Sequence, residues 1–218
     1  MFPGRTRSRS GLLMEYRDNF QEPGSLSFFL AMIQRKQKDG VFSAVPVGRN
    51  YNPVRNQTAM IYGPEQFLDP KATKDEQRDF DFHLVEVMSE LVEICVVQII
   101  SALLYTIALH HRAEAISQEQ MHAWVNELWE SDLHPWWDEE DNKDVDGSVN
   151  ASLAYLEKHG MIQQRGDQIH LNTEAILHAP ALESDYINVN PVKYFTNQNL
   201  HLGDYMEAVQ DLVLKAEL

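Results

Sequence analysis

The chain has 218 residues, 44% of them hydrophobic, enough to bury one substantial domain or two small ones. Its formal net charge of −15 argues against a duplex nucleic-acid binder, because Lys and Arg that neutralise phosphates supply most of that affinity. Its single cysteine, Cys95, excludes an internal disulfide.

The N-terminal part is basic although the whole chain is acidic. Residues 1–56 carry nine Lys/Arg and four Asp/Glu, a balance of +5, so the remaining residues carry −20. We therefore expect any bound anion to lie near the N-terminus. The pattern of residues 1–67 is typical of the end of an α/β unit: a basic Gly/Ser loop at 4–11, an amphipathic stretch at 26–35, and strands at 41–47 and 59–62.

A polar stretch at 68–79 is predicted to be a linker, and residues 80–218 to be a helical extension. Within it, the apolar run 94–109 has 16 residues and is interrupted by polar side chains. A helix that spans a membrane needs roughly 20 residues, so the run predicts a buried helix. Cys95 is then a small core residue.

Local signals then predict a helix, a second helix and a hairpin. Ser117 with Gln120 resembles a capping box that begins a helix over 118–129. After an acidic loop at 138–146, a helix over 148–159 should end at Gly160, before a hairpin at 161–171. This order predicts a winged-helix-like element at about 116–171. Its second helix contains no arginine, which favours protein packing over DNA reading. A terminal amphipathic helix is predicted at 202–214.

Residues 2–11 read FPGRTRSRSG and resemble the third sequence block of the glycerolipid acyltransferases, F-P-E-G-T-R-S-R-S-G. The resemblance places Arg7 at the family's phosphate-binding arginine, with Ser8 and Arg9 beside it. A guanidinium offers phosphate a planar fork of donors. Gly4 and Arg5 depart from the family pattern, where glutamate and glycine stand.

Two further stretches are similar to the same family in the same order. Val45, Pro46 and Val47, followed by Tyr51, are similar to its fourth block and would shape the acyl and glycerol pocket. Residues 192–201 are similar to the C-terminal part of the large bacterial glycerol-3-phosphate acyltransferases. The implied fold is α+β or mostly α: a partial α/β acyltransferase core followed by a helical extension with the winged-helix-like element.

The resemblance implies transfer of a fatty acyl group from acyl-CoA or acyl carrier protein to the sn-1 hydroxyl of glycerol 3-phosphate. It implies these two substrates as the binding partners, no further cofactor, no metal and no nucleic acid. The expected location is cytoplasmic, with peripheral contact at the cytoplasmic face of the inner membrane. Self-association is expected if strands that precede residue 2 are missing, because an unpaired sheet edge invites pairing.

No general base can be named, so no catalytic residue is predicted. The family uses an H-x4-D block that precedes its third block, and none of the nine histidines here has Asp five positions later. His122, His134 and His178 have Glu there. We therefore expect the chain alone to be inactive, as a truncated product or as a non-catalytic relative.

Several alternatives remain at this point, the first being that Arg5, Arg7 and Arg9 belong to a generic anion site or a disordered basic tail. The chain could be a non-enzymatic winged-helix module whose acidic surface docks a basic partner. Residues 142–149 imitate the first eight positions of an EF-hand loop, but Leu153 stands where the bidentate glutamate belongs, which favours a solvated acidic loop. The four tryptophans favour core packing or a partner interface over a membrane belt, because acidic neighbours would repel anionic lipid.

Overall fold

The computed structural model describes residues 33, 43–131, 133, 137–178 and 190–216. These residues contain seven strands and eight helices in a mixed α and β fold. They divide into two compact units. Among the described residues, the first unit holds 33, 43–51 and 58–93, and the second holds 52–57 together with the residues from 94 onward.

The first unit contains four short strands. They are β1 (Ser43–Ala44), β2 (Val47–Asn52), β3 (Gln57–Tyr62) and β4 (Gln66–Phe67), and the ends of β2 and β3 at Asn52 and Gln57 belong to the second unit. β1 pairs with β4 in antiparallel orientation, and β2 neighbours β3. The prediction of a single strand at 41–47 is wrong, because β1 ends at Ala44 and β2 begins at Val47. Pro46 between them has no N–H to donate to a ladder.

Helix α1 (Lys74–Glu90) begins inside the stretch predicted to be a linker. Thr73 and Glu76 form a capping box: the Glu76 amide donates to the Thr73 hydroxyl over 3.3 Å, and the Thr73 amide donates to the Glu76 carboxylate over 2.7 Å. Two backbone amides at the start of the helix, which have no partner within it, therefore form hydrogen bonds. Leu91, which follows the helix, lies close to Gly48. A Cβ added at Gly48 would be 2.0 Å from the Leu91 carbonyl oxygen.

Helix α2 (Val96–Leu109) is the centre of the second unit and confirms the predicted buried helix. Nearly all of its side chains are buried, and a helix that is apolar on all sides must be surrounded by other elements. Ser101 and Thr106 satisfy their hydroxyls locally by donating to the carbonyls of Val97 and Ala102, over 2.6 and 2.8 Å. Among the described residues, no helix has both the length and the apolar character needed to cross a bilayer.

The next elements of the second unit are β5 (Ala115–Ser117), α3 (Gln118–Trp129), α4 (Glu139–Asn142), α5 (Val145–Lys158), β6 (Ile162–Arg165) and β7 (Gln168–Leu171). The three strands form an antiparallel sheet in the order β5-β7-β6, with Ile116 opposite Ile169. The bounds predicted for α3 are confirmed, and Ser117 accepts the Gln120 amide as the N-cap. Gly160, with φ of +73°, follows α5 as predicted.

Helices α6 (Thr173–His178), α7 (Pro191–Asn199) and α8 (Gly203–Lys215) complete the second unit. Asn190 joins the first two, because its side chain caps Lys193 in α7 and donates to the Ala175 carbonyl in α6 over 2.8 Å. Both α7 and α8 pack on α2. The terminal helix predicted at 202–214 is confirmed to within one residue.

Candidate functional site

The residues predicted to hold phosphate, Arg7, Ser8 and Arg9, lie outside the described residues. The three predicted pocket residues differ in exposure. Val45 is 45% exposed, Val47 is half-buried, and Pro46 is buried with its carbonyl accepting the Gly63 amide over 2.9 Å. Pro46 therefore has a structural contact within the first unit, whereas the Val45 side chain faces solvent.

The second unit holds a polar group that we call the Asp141 cluster, in which four buried side chains meet the more exposed Arg55: Asn52, Arg55, Asp138, Asp141 and Ser148. Arg55 Nε donates to Asp141 Oδ1 over 2.8 Å, and its second guanidinium nitrogen donates to Ser148 Oγ over 2.7 Å. Asn52 Nδ2 lies 3.2 Å from Asp138 Oδ2 and 3.3 Å from Asp141 Oδ2. The hydrogen bond from Arg55 to Asp141 raises the pKa of the guanidinium.

Asp141 also serves as a remote cap for the central helix. The backbone N–H of Val96, the first residue of α2, donates to Asp141 Oδ2 over 2.9 Å. The Cys95 amide is satisfied separately by Gln98 Oε1, also at 2.9 Å. A carboxylate at a helix N-terminus is stabilised by the free amides and by the helix dipole. With three donors on its two oxygens and almost no exposure, Asp141 holds structure and lacks the solvent access of a general base.

Cys95 does not have the environment of a nucleophile. Its side chain is buried, and burial raises the pKa of the thiol. A reactive cysteine needs a lowered pKa and access to a substrate. The predicted structural role of Cys95 is in keeping with this environment.

Tyr205 and Asn199 place further polar atoms in the same core. Both side chains are buried, and among the described residues their polar atoms meet no partner at hydrogen-bond geometry. Burial raises the pKa of the Tyr205 phenol, and the neighbouring Asn199 offsets only part of this effect. Neither group is positioned as an acid or a base towards solvent.

Two of the three histidines that precede a glutamate by five residues are described, and each lies near another carboxylate. His122 Nδ1 lies 2.9 Å from Asp146, which belongs to α5. His178 lies 3.8 Å from Glu174, one turn back in α6. His134 lies outside the described residues.

Most of the segment that imitates an EF-hand is helical, with Lys143 and Asp144 between α4 and α5. Asp144 caps α5, and its Oδ1 accepts the Gly147 amide over 2.9 Å, so this carboxylate is turned towards backbone amides. Within the part of the chain that the structure describes, no group of His, Cys, Asp and Glu side chains is arranged to hold a metal ion.

A concavity with a volume of about 670 Å³ lies between α3 and α8. Eleven residues line it, and we call it the α3/α8 groove: Gln120, Trp124, Glu127, Leu128, Ser131, Leu133, Ala208, Asp211, Leu212, Lys215 and Ala216. All of them belong to the second unit. Sequence reasoning had assigned Trp124 to packing or a partner interface, and the groove had not been predicted.

Comparison of the chain with protein-family models, with curated protein sequences and with solved structures finds no match.

Proposed function

We propose that the chain is a glycerol-3-phosphate acyltransferase-like protein that retains a site for the substrate phosphate. The observation that carries this proposal is the sequence of residues 2–11, in which Arg7 and Arg9 alternate with hydroxyl residues. Closely spaced guanidinium and hydroxyl groups suit a phosphate monoester, because they offer charge-assisted and neutral donors together. The basic balance of residues 1–56 in an otherwise acidic chain supports an anion site there.

The acyl group would come from acyl-CoA or acyl carrier protein and would pass to the sn-1 hydroxyl of glycerol 3-phosphate. Because no histidine is followed by Asp at the fifth position, we expect the chain to bind glycerol 3-phosphate without catalysing transfer by itself. Peripheral contact with a membrane and self-association belong to the same proposal.

Calorimetric titration of the full chain with glycerol 3-phosphate tests this proposal. Inorganic phosphate is the ligand control, and Arg7→Ala and Arg35→Ala form a matched pair of variants, each losing one N-terminal arginine. We expect binding that prefers glycerol 3-phosphate and is weakened about tenfold or more by Arg7→Ala, the usual scale for a lost charge-assisted contact. Equal binding by the Arg7→Ala variant would refute the phosphate site.

A second candidate function is a winged-helix interaction module formed by the second unit. The observation that favours it is the order of helix α2, strand β5, helices α3, α4 and α5 and the β6–β7 hairpin, with the three strands arranged β5-β7-β6. α5 would be the helix that reads a partner, and its exposed side chains include Asp146, Asn150, Ala154 and Lys158. This nearly neutral face lacks the cations that duplex DNA requires, which favours a protein partner.

Fluorescence anisotropy with random-sequence duplex DNA at low salt tests the choice of partner. We expect no binding by the folded chain. Salt-sensitive binding that is lost in Lys158→Ala would replace the protein partner with nucleic acid.

A further inference from the structure

Strands β1 to β4 form a ribbon whose inner face is covered by α1 and by Leu91, which follows it. On β2, the Asn50 side chain donates to the Leu91 carbonyl over 3.1 Å. A Cβ added at Gly63, which follows β3, would be 3.0 Å from a side-chain carbon of Leu91. On β4, Gln66 Oε1 lies 3.0 Å from His83 Nε2 of α1. These contacts mark the inner face along the length of the ribbon.

The outer face of the ribbon is apolar and exposed. Because successive side chains of a strand point to opposite faces, the neighbours of the inner-face residues point away from α1. Four of these neighbours are large and apolar, and they are 50%, 55%, 67% and 60% exposed: Tyr51, Met60, Tyr62 and Phe67. An exposed apolar patch of this kind marks a surface for interaction.

Opposite charges stand at the two ends of the outer face. Residues 43–64 contain two arginines and no Asp or Glu, and Arg49 points outward with no ion-pair partner among the described residues. At the other end, the Ser43 hydroxyl donates to Glu65 over 3.2 Å, and Ser43 is opposite Phe67 on the ladder. The face therefore has one cation towards the β2–β3 turn and one anion towards its open end.

The outer face is complementary to itself under a two-fold rotation. The Gly63 amide donates to the Pro46 carbonyl over 2.9 Å, which puts these two residues at the same level of the ribbon. From that level Arg49 is three residues towards the turn and Glu65 two residues towards the open end. They are therefore roughly 16 Å apart at about 3.3 Å per residue. A two-fold axis midway between them passes beside Tyr62 and brings Arg49 of one copy against Glu65 of the other.

We propose that the outer face binds a second copy of this chain as a symmetric dimer. Tyr51 packs against Phe67 of the other copy, and Tyr62 lies at the axis. At roughly 200 Å² per large side chain, the exposed fractions give about 450 Å² of apolar area per copy, or about 900 Å² in the dimer. A specific interface needs about 1,000 Å² in total, so with the charged pairs added we expect a weak dimer in the micromolar range.

The net charge of −15 permits this dimer at physiological salt. Charges more than about 8 Å apart are largely screened there, and each apposed face carries one cation and one anion. The same balance gives this face no net attraction to anionic lipids. The inference rests on the self-association that belongs to the proposed function and names its surface, a face of the ribbon in place of an unpaired strand edge.

Sedimentation velocity of the full chain from about 1 to about 200 μM tests the proposal. We expect an equilibrium between monomer and dimer. Arg49→Glu and Glu65→Arg should each weaken the dimer about tenfold, because each change places two like-charge contacts in the symmetric interface. The double variant with both changes restores opposite charges and should return to within about threefold of the unaltered chain. Circular dichroism checks that each variant is folded.

Two matched controls separate the outer face from the rest of the surface. Tyr62→Ser should weaken the dimer about tenfold, because it removes the apolar side chain at the axis, whereas Leu214→Ser removes an apolar side chain that is 44% exposed on α8. Arg165→Glu on β6 makes the same change in net charge as Arg49→Glu. We expect both controls to change the dissociation constant by less than about threefold.

The contrary outcomes are distinct. A chain that stays monomeric throughout this range overturns the proposal. A dimer that Glu65→Arg strengthens is governed by net charge and overturns it too, and a dimer that no outer-face variant weakens associates through a strand edge. Anionic vesicles that bind the unaltered chain but not Tyr62→Ser would replace the second copy with a membrane.

Calorimetry with glycerol 3-phosphate keeps this inference apart from the proposed phosphate site. Arg49→Glu should bind glycerol 3-phosphate as the unaltered chain does. Binding of the ligand by a chain that forms no dimer overturns the dimer alone. A dimer that binds no glycerol 3-phosphate overturns the phosphate site alone.

Discussion

Replacing Asp141 by asparagine should strongly destabilise the second unit. The carboxylate is 4% exposed and accepts hydrogen bonds from Arg55, Asn52 and the Val96 amide. Asparagine has nearly the same shape, but it removes the charge and presents an NH2 group to one set of these donors. The change therefore tests the ion pair and the helix cap without opening a cavity.

The size of the effect follows from the exposure of the two partners. Breaking a fully buried ion pair costs about 3–5 kcal/mol, and the 32% exposure of Arg55 reduces this to about 2 kcal/mol. Loss of the anion at the N-terminus of α2 adds about 0.5–1 kcal/mol. We expect a total loss of about 3 kcal/mol in the free energy of unfolding.

Urea unfolding followed by tryptophan fluorescence measures this loss. All four tryptophans belong to the part of the sequence assigned to the second unit, so the signal reports on that unit. Asp211→Asn is the control, since its exposed pair with Lys215 should contribute at most about 0.5 kcal/mol. An Asp141→Asn variant as stable as this control would refute the reasoning.

Three further predictions concern single residues. Gly48→Ala should raise hydrogen exchange in β3, because the added Cβ would lie 2.0 Å from the Leu91 carbonyl oxygen. Gly203→Ala is the control and should leave hydrogen exchange in β3 unchanged, because Gly203 has open space around it. Cys95 should resist thiol reagents at pH 8 until urea unfolds the chain, because burial raises its pKa; rapid labelling of the folded protein would contradict this. Burial lowers the pKa of His159 below its ordinary value of 6.5, so the unfolded state binds the proton more tightly and stability should fall as pH falls through 6.5. His159→Phe should make the pH dependence of the free energy of unfolding shallower. If this free energy changed between pH 7 and pH 5 by the same amount in the variant and in the unaltered chain, the prediction would be refuted.

Local signals predicted those parts of the fold whose causes lie within a few residues. Ser117 begins α3 at the predicted position because a capping hydroxyl and the amide it satisfies are three residues apart. Gly160 follows α5 because a positive φ suits glycine. The same kind of signal was present at Thr73 and Glu76 and could have shown that α1 begins within 68–79, but the polar composition of that stretch was interpreted as a linker.

The Asp141 cluster could not be predicted in the same way. Asn52 and Arg55 lie 86 or more residues from their carboxylate partners, and nothing local in the acidic loop shows which carboxylates are buried. The loop was expected to be solvated. Two of its carboxylates, on Asp138 and Asp141, are buried because a distant cation, a distant amide and a helix N-terminus satisfy them together.

Arg55 therefore has a different task from the one proposed for the arginines of residues 2–11, although all of them contribute to the basic balance of the N-terminal part. Two of its guanidinium nitrogens donate to Asp141 and Ser148, which hold the side chain against the second unit. Arg55→Met should lower the stability of the second unit and leave binding of glycerol 3-phosphate unchanged, whereas Arg7→Ala should weaken binding and leave stability unchanged. Parallel urea unfolding and calorimetry of the two variants measure both properties. If folded Arg55→Met lost the ligand as well, the anion site would include the Asp141 cluster, and the assignment of phosphate binding to residues 2–11 would be wrong.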